Sequence, residues 1–359
     1  MGVESLQMPA VTEEQVLDAL RKVQDPELHR DVVSLGMIEG LRVEGGTVSL
    51  TLNLTTPACP LRAEMEAQVR AAAQGVPGVG EVKVKMAAHI PATRLAGQGD
   101  VMKGVKNIVA VASGKGGVGK TTVAVNLAVT LASSGARVGL LDADIYGPTV
   151  PVMMGVRERP GAVENMIIPP AAHGVKVISL GFYYKDDTPL VWRGPMVAGA
   201  VKQLLTQVEG GDRDYLIVDL PPGTGDASLT LAQTVPLGGV VVVTTPQEAS
   251  LNIATKALAM FRKLNVPVLG IVENMSYFVC PHCGERTDIF SEGGGRRAAK
   301  ALDAQFLGEI PIYPKIREQS DAGQPVSAAA PDSPESAAFK EIAFRVAGMV
   351  SIVAYESSR

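Results

Sequence analysis

A glycine-rich segment around residue 115 carries the clearest chemical signal in the sequence. Residues 113–122 spell SGKGGVGKTT and satisfy the pattern G-x-x-x-x-G-K-[ST]. The glycines let backbone N–H groups curl around phosphate oxygens, and the helix that follows turns its positive end toward them. We expect Lys120 to contact the β- and γ-phosphates and the Thr121 hydroxyl to coordinate Mg²⁺. The predicted nucleotide-binding residues here are Gly114, Lys115, Gly116, Gly117, Val118, Gly119, Lys120, Thr121 and Thr122.

Carboxylates follow two of the predicted strands. LLDADIYGPT places Asp142 and Asp144 after one apolar run, and YLIVDLPPGTGD ends another run at Asp219. Ligands of open parallel sheets bind at this carboxyl edge of the strands. Asp219 is therefore expected to hold magnesium together with Thr121, either as a direct ligand or through a ligand that the ion already binds. The alternative for each acid is a helix cap or a solvated loop position.

Two of the three cysteines, Cys280 and Cys283, stand in the segment C-P-H-C-G. Two thiolates at this spacing form half of a tetrahedral metal site. An iron–sulfur cluster and a four-cysteine zinc site each usually take four thiolates, which two chains of a symmetric dimer would supply together. The spacing alone leaves other possibilities open: a zinc site completed by His282 or a remote ligand, which the C-P-x-C-G turn favours, and a redox-active dithiol.

The pattern of apolar residues predicts two domains in the 359-residue chain. Residues 10–92 mix helical periodicity with alternating strands, which predicts a small α+β domain, and residues 93–106 are predicted to be a linker. From residue 107 to 359, short continuous apolar runs alternate with helical stretches. Strands of this kind are buried on both faces, which predicts an α/β domain with a mostly parallel sheet and helices on both faces. Residues 320–336, rich in Ala, Pro and Ser, are predicted to be a loop.

Composition limits the classes of function. Hydrophobic residues make up 46% and charged residues 19% of the chain, which is typical of a globular protein. A net charge of −4 and an aromatic content of 4% disfavour nucleic acid as a partner. The first residues contain no apolar core of a secretory signal, and the longest apolar run, 235–245, is too short to cross a bilayer. We therefore expect a cytoplasmic protein with no membrane partner.

The sequence K-G-G-V-G-K-T resembles the deviant Walker A motif of the MinD, ParA and nitrogenase-iron-protein class of ATPases. In that class the first lysine, here Lys115, reaches the phosphates bound to the other subunit of a nucleotide-sandwich dimer. Asp144 matches the acid that orients the attacking water, and Asn274 in GIVENMS matches an asparagine that contacts adenine. The resemblance implies ATP as the substrate and Lys115, Lys120, Asp144 and Asp219 as the catalytic set.

The ordered series SGKGGVGKTT, DADIYGP, WRGPM, DLPPGTGD, ENMSYFVCPHCG and IPIYPKIREQSDAGQP is similar to the Mrp/ApbC-type iron–sulfur cluster carrier ATPases over nearly the whole chain. This resemblance implies a homodimer that holds a [4Fe–4S] cluster between the Cys280 and Cys283 pairs of both chains. It further implies a cluster donor, client apoproteins and ATP hydrolysis that gates delivery. We expect this hydrolysis to be slow, because no arginine finger is recognisable in the sequence.

The N-terminal segments DPELHRDVVSLGMI and TTPACPLR resemble the small iron–sulfur-assembly domain often fused ahead of these ATPases. Cys59 matches the functionally implicated cysteine of that domain, so the resemblance implies a cluster or transfer ligand there. Its alternative is a small buried side chain.

Two other classes of protein compete with this interpretation. A ParA- or MinD-like positioning ATPase with a structural zinc at the cysteine pair would need a basic DNA-binding face or a basic amphipathic tail. The last predicted helix carries only Lys340 and Arg345 as basic residues. An electron-transfer ATPase resembling the nitrogenase iron protein would carry its cluster cysteines singly and far apart, unlike Cys280 and Cys283.

Overall fold

The computed structural model describes residues 11–26, 28, 30–57, 61–93, 104–144, 147–164, 166–183, 194–208 and 211–357. The chain divides into two compact units, one ending at Pro91 and the other beginning at Ala92. Cys59 lies outside the described residues, so its predicted role as a ligand stays a prediction. In the described part of the chain, no helix combines the length and the apolar character that a bilayer span requires.

The N-terminal unit is a small α+β fold. Its elements are α1 (Glu13–Leu20), β1 (Gln24–Asp25), β2 (Arg30–Asp31), β3 (Ile38–Glu44), β4 (Thr47–Leu54), α2 (Arg62–Gln74) and β5 (Glu81–Ala88). Strand β4 pairs antiparallel with β3 and parallel with β5. Every second residue of β4 is buried, as its alternating sequence predicts, and these residues pack with apolar residues of α1 and α2. The predicted α+β domain is confirmed.

The second unit contains the remaining elements. They are β6 (Val105–Ser113), α3 (Lys120–Ser133), β7 (Val138–Asp142), α4 (Val150–Met153), β8 (Gly161–Val163), β9 (Met166–Ile168), β10 (Ala171–Ala172), β11 (Val175–Ser179), α5 (Gly194–Gln207), β12 (Arg213–Asp219), α6 (Asp226–Thr234), β13 (Gly239–Thr244), α7 (Glu248–Lys263), β14 (Val268–Val279), β15 (Arg286–Thr287), α8 (Gly294–Ala301), β16 (Phe306–Ile312), α9 (Pro314–Asp321), α10 (Val326–Ala329) and α11 (Pro334–Ser357). Strand β6 begins at Val105, inside the segment predicted as a linker.

A mostly parallel sheet forms the centre of this unit. Its strands run in the order β10-β11-β7-β12-β6-β13-β14, and β14 also pairs with β15 and β16. The short strands β10 and β15 pair antiparallel, and the long ones pair parallel. Helices α5 to α8 pack in one apolar cluster with alternate residues of β6. Helices α3 and α11 lie outside that cluster and contact the strands separately, and α10 packs against α3 and α11. The predicted α/β fold is confirmed.

The predicted loop over residues 320–336 is wrong in part. Helix α9 continues to Asp321, and α10 (Val326–Ala329) buries Val326 and Ser327. The backbone N–H of Ser327 donates to Asn126 Oδ1 of α3 at 3.1 Å. A buried polar anchor on a distant helix therefore orders a segment whose composition is typical of loops.

The carboxyl ends of the central strands meet at one edge of the sheet. Strand β6 leads into the glycine-rich segment and then into α3, so the loop lies between a strand and a helix N-terminus. Register pairing places Asp219 at the end of β12 beside Asp142 at the end of β7. The sheet thus brings two segments that are far apart in sequence to the same place.

Candidate nucleotide and cysteine sites

The phosphate loop, residues 113–119, requires glycine for two different reasons. Gly117 and Gly119 have φ angles of +77° and +79°, which other residues rarely adopt. A Cβ at Gly119 would clash with the Asn274 Nδ2 atom, and one at Gly114 would lie 2.6 Å from Ile253 Cγ2. Backbone conformation and close packing therefore both fix the loop.

Lys120 lies at the start of α3 and faces two of the predicted acids. Its Nζ atom is 2.6 Å from Asp219 Oδ1 and 3.8 Å from Asp144 Oδ2, and the residue is only 6% exposed. The Thr121 hydroxyl donates to Asp219 Oδ2 at 2.7 Å. The structure thus brings together Lys120, Thr121, Asp144 and Asp219 from three separate segments.

The same cluster offers oxygen ligands of the kind that Mg²⁺ prefers. The Thr121 hydroxyl and the Asp219 carboxylate are adjacent, and Asp219 is fully buried. Burial raises the pKa of Asp219, and the neighbouring Lys120 ammonium opposes that rise. A magnesium ion beside these two residues would favour the ionised carboxylate in the same way as the ammonium does.

Asp142 is a buried acid that the sequence placed at a strand end but not in the predicted site. It is 1% exposed and accepts hydrogen bonds from Asp144 N and Val150 N, both at 3.2 Å, and from the Ser179 hydroxyl at 3.1 Å. Burial first, and then the Asp219 carboxylate, raise the pKa of Asp142 to about 8, outweighing these donors. Asp142 therefore fixes the start of the segment that carries Asp144.

We expect Asp142 to make the nucleotide-free protein less stable as pH rises from about 4 to about 8, between its ordinary and its folded pKa. In that window the folded protein binds a proton that the unfolded chain has released, so the free energy of unfolding falls with pH, by at most about 1.4 kcal/mol per pH unit for one proton. The Asp142→Asn variant has no such proton. Its free energy of unfolding, measured by urea denaturation across this pH range, should therefore fall less with pH than that of wild type. Parallel stability profiles for the two proteins would refute this assignment.

Lys115 is the third residue of the phosphate loop. Its Nζ atom donates to Gln247 Oε1 of the same chain at 3.2 Å. Gln247 immediately precedes α7, so this hydrogen bond connects the phosphate loop to the start of α7. The predicted reach of Lys115 to a second subunit stays a prediction.

Asn274, in the middle of β14, contacts the phosphate loop directly. Its Nδ2 atom donates to the Val118 carbonyl oxygen at 2.8 Å, and the residue is 7% exposed. This contact with the loop backbone was not visible in the sequence, where Asn274 was matched to an adenine contact. The adenine role stays a prediction, and Asn274 does line the adjoining cavity.

A cavity of about 760 Å³ adjoins this cluster, within the size range of ligand pockets. The phosphate loop, Asp144 and Asn274 contribute to its lining. Phe290, Pro311 and Tyr313 contribute apolar and aromatic surface elsewhere in its wall. Charged groups for phosphates and an apolar region for a base are thus available in one cavity.

The cysteine hairpin, residues 277–287, extends from the end of β14. Phe278 and Val279 pair antiparallel with Thr287 and Arg286 across its base. The turn is closed by a bond from Cys280 N to the Glu285 carbonyl at 3.0 Å and one from Gly284 N to the Cys280 carbonyl at 2.9 Å. Cys280 is half-buried and Cys283 is exposed at the end of the hairpin.

The hairpin favours the thiolate form of Cys280. Backbone N–H groups of Cys283 and then of His282 lower the pKa of Cys280, and the Cys283 side chain adds to the effect. Thiolates are the form of cysteine that binds metals. Among the residues that the structure describes, no group of three or more His, Cys, Asp and Glu is placed to hold a metal ion.

The fold and the phosphate loop define the class: this is a P-loop NTPase of the ParA type. More closely, the chain belongs to the family described as the NUBPL iron-transfer P-loop NTPases, whose model matches residues 104–347. Residues 13–84 match the model of an iron–sulfur cluster assembly protein. Both family resemblances inferred from the motifs are confirmed.

Similar proteins cover nearly the whole chain. An iron–sulfur cluster carrier protein of Synechocystis is 49% identical over 96% of this chain and 99% of its own length. The iron–sulfur cluster transfer protein NUBPL of Dictyostelium discoideum is 48% identical over 70% of this chain and 79% of its own length. The solved nucleotide-binding protein of Archaeoglobus fulgidus, in complex with ADP, is 39% identical with a TM-score of 0.58, covering 66% of this chain and 93% of its own.

Proposed function

We propose that this protein is an ATP-dependent carrier of iron–sulfur clusters. The Cys280 and Cys283 pairs of two chains would hold one [4Fe–4S] cluster as cargo, which passes to client apoproteins. The observation that carries the proposal is a pair of thiols on an exposed hairpin with no third ligand among the described residues. Two thiolates per chain fit a cluster shared between two chains, and the carrier names of the relatives favour this cargo over zinc.

Exposure of the cysteine pair suits a cargo site better than a structural one. Cys283 is accessible, so a client thiolate can approach an iron atom and replace the carrier's ligand. Each exchange forms one iron–thiolate bond and breaks another, and the cluster itself is neither oxidised nor reduced. A structural zinc site, in contrast, is closed by four ligands of its own.

The nucleotide site supports ATP binding and hydrolysis. Lys120 and the glycine loop would hold the phosphates, and Thr121 and Asp219 would hold Mg²⁺, which neutralises charge on the phosphates when bound. Asp144 lies 3.8 Å from Lys120 at the edge of the same cavity, where it can orient an attacking water. Lys115 would complete the charge around the phosphates of a partner chain.

Replacing Lys115 with alanine is expected to lower the rate of ATP hydrolysis by about 100-fold or more while ATP still binds, because a cation at the transferring phosphate acts mainly in the transition state. Steady-state hydrolysis and equilibrium binding of ATP measure the two effects. Gln247→Ala, which removes the contact of Lys115 within its own chain, is the matched control and should keep the hydrolysis rate. Equal losses in both variants would mean that Lys115 acts only within its own loop.

The carrier function is tested by cluster transfer. The anaerobically reconstituted protein is mixed with an apoprotein that needs a [4Fe–4S] cluster, such as apo-aconitase, with and without Mg·ATP. We expect the acceptor's activity to recover, and to recover faster with ATP. A chelator should slow this recovery only if it is added before transfer begins. A reconstituted protein that keeps its metal in the presence of the acceptor would contradict the proposal.

A further inference from the structure

The chain that carries the cysteine pair leaves the wall of the nucleotide cavity and returns to it. Met275, just before the cysteine hairpin, lines that cavity, and so does Phe290, just after it. The same cavity is lined by Lys120 and the phosphate loop. The residues that flank the cysteine hairpin on both sides therefore line the cavity proposed to hold the nucleotide.

A buried carboxylate joins these two ends. Glu273 is 0% exposed, and its Oε1 atom accepts a hydrogen bond from the Ser276 hydroxyl at 2.6 Å. Its Oε2 atom accepts from the backbone N–H of Gly295, in the first turn of α8. A carboxylate is favoured at a helix N-terminus, where backbone N–H groups lack partners within the helix. One side chain thus bonds the segment before the cysteine hairpin and the segment after it.

The space around Gly295 shows how closely Glu273 packs against α8. A Cβ at this position would lie 2.9 Å from the Glu273 Cβ atom and 3.0 Å from Oε2. The neighbouring Gly294 has equally little space, because a Cβ there would lie 2.7 Å from the Pro246 carbonyl oxygen. Glu273 and the first turn of α8 are therefore in close contact.

The residue next to Glu273 contacts the phosphate loop. Asn274 donates to the Val118 carbonyl, and its amide occupies the space that a side chain at Gly119 would fill. Phosphate binding draws on the backbone N–H groups of this loop, so a change in the loop reaches Asn274 without any intervening residue.

Met275 lies between Asn274 and Ser276 and has an unusual backbone. Its φ angle is +55°, and the pairing of β14 with β16 changes register between Asn274 and Phe278. A left-handed conformation at a residue other than glycine is unfavourable and persists only where its surroundings impose it. Strand β14 is therefore irregular between Asn274, which contacts the phosphate loop, and the cysteine hairpin.

We propose that Glu273 is a positioning residue that transmits the nucleotide state of the phosphate loop to the cysteine hairpin, by holding Ser276 and Gly295 together beside Asn274. This inference rests on the proposed function only in taking Cys280 and Cys283 as the cargo ligands. The coupling itself is a property of the protein without cargo.

The test therefore uses the reduced, metal-free, full-length protein. The rate at which iodoacetamide alkylates Cys283 is followed by mass spectrometry of the peptide that contains it, with and without a non-hydrolysable Mg·ATP analogue. In wild type we expect the nucleotide to change this rate by about fivefold, the lower end of typical coupling between sites. Ser276→Ala should bind the analogue with unchanged affinity and lose most of this response.

Two further comparisons separate coupling from stability. Ser351→Ala removes another buried serine hydroxyl, one bonded within α11 only, and should respond as wild type does. Glu273→Gln can still accept from Gly295 and donate to Ser276, so it should keep the response that Glu273→Ala loses. A wild-type response in Ser276→Ala, an equal response in Glu273→Ala and Glu273→Gln, or the absence of a response in wild type would each overturn the proposal. So would a loss of nucleotide affinity in Ser276→Ala that accounts for its lost response.

The readout also keeps the two proposals distinguishable. A protein that fails to hold a cluster but shows nucleotide-dependent alkylation contradicts the carrier function and supports the role of Glu273. A protein that holds and transfers a cluster but alkylates at one rate in every nucleotide state does the reverse.

Discussion

Replacing Lys120 with alanine is expected to lower the affinity for ATP by about 100-fold or more and to destabilise the nucleotide-free protein as well. The first effect follows from the loss of a buried cation at the phosphates, since truncating one partner of such a charge pair costs about 2–5 kcal/mol. The second follows from the pairing in the structure, where Lys120 lies 2.6 Å from the fully buried Asp219 carboxylate. Removing one partner of a buried ion pair costs about 3–5 kcal/mol of stability.

Equilibrium binding of a fluorescent ATP analogue and urea denaturation measure these two effects. Lys340→Ala is the matched control, because Lys340 is paired with Asp332 at the surface and its loss should change neither quantity measurably. A Lys120→Ala protein that binds ATP as wild type does would show that the phosphate loop is not the nucleotide site.

The Cys280→Ala/Cys283→Ala double variant is expected to lose all of the iron and sulfide that the protein binds after anaerobic reconstitution, while its affinity for ATP stays unchanged. Among the described residues, no group of three or more His, Cys, Asp and Glu could hold the cluster in place of the two thiols. The residues proposed to bind the nucleotide lie in other segments, chiefly the phosphate loop, Lys120, Thr121 and Asp219. The variant should therefore separate the cargo site from the nucleotide site.

Iron, sulfide and zinc analysis together with ATP binding provides the measurement. His282→Ala is the control, since His282 lies between the two cysteines in the sequence but forms no metal group with them, and it should keep the full iron content. Iron that survives in the double variant would move the cargo site elsewhere, with Cys59 the remaining cysteine.

The parts of the site that could be predicted are those encoded by local sequence. The phosphate loop needs a strand, a glycine-rich segment and a helix start in direct succession. The sequence shows all three between residues 108 and 122. Asp219 was predictable because a continuous apolar run fixes the end of its strand. Thr121, directly after Lys120, follows from the same motif, and the structure places its hydroxyl on Asp219.

The parts that could not be predicted depend on contacts between residues far apart in the chain. Asn274 meets Val118, which lies 156 positions earlier, and Lys115 meets Gln247, 132 positions later. Glu273 opens the segment ENMSYFVCPHCG, but its contact with Gly295 arises only when α8 packs its N-terminus against β14. The burial that shifts the pKa of Asp142 likewise requires the assembled sheet.

The central claim, a cluster shared between two chains through Cys280 and Cys283, is tested most directly by native mass spectrometry of the anaerobically reconstituted protein. We predict a dimer that carries one [4Fe–4S] cluster, about four irons and four sulfides per two chains, and a monomer that carries none. Dimers of wild-type chains with the double-variant chain should hold no stable cluster, because only two thiolates remain. A cluster bound by the monomer, or a zinc ion bound by the cysteine pair in place of iron and sulfide, would contradict the account.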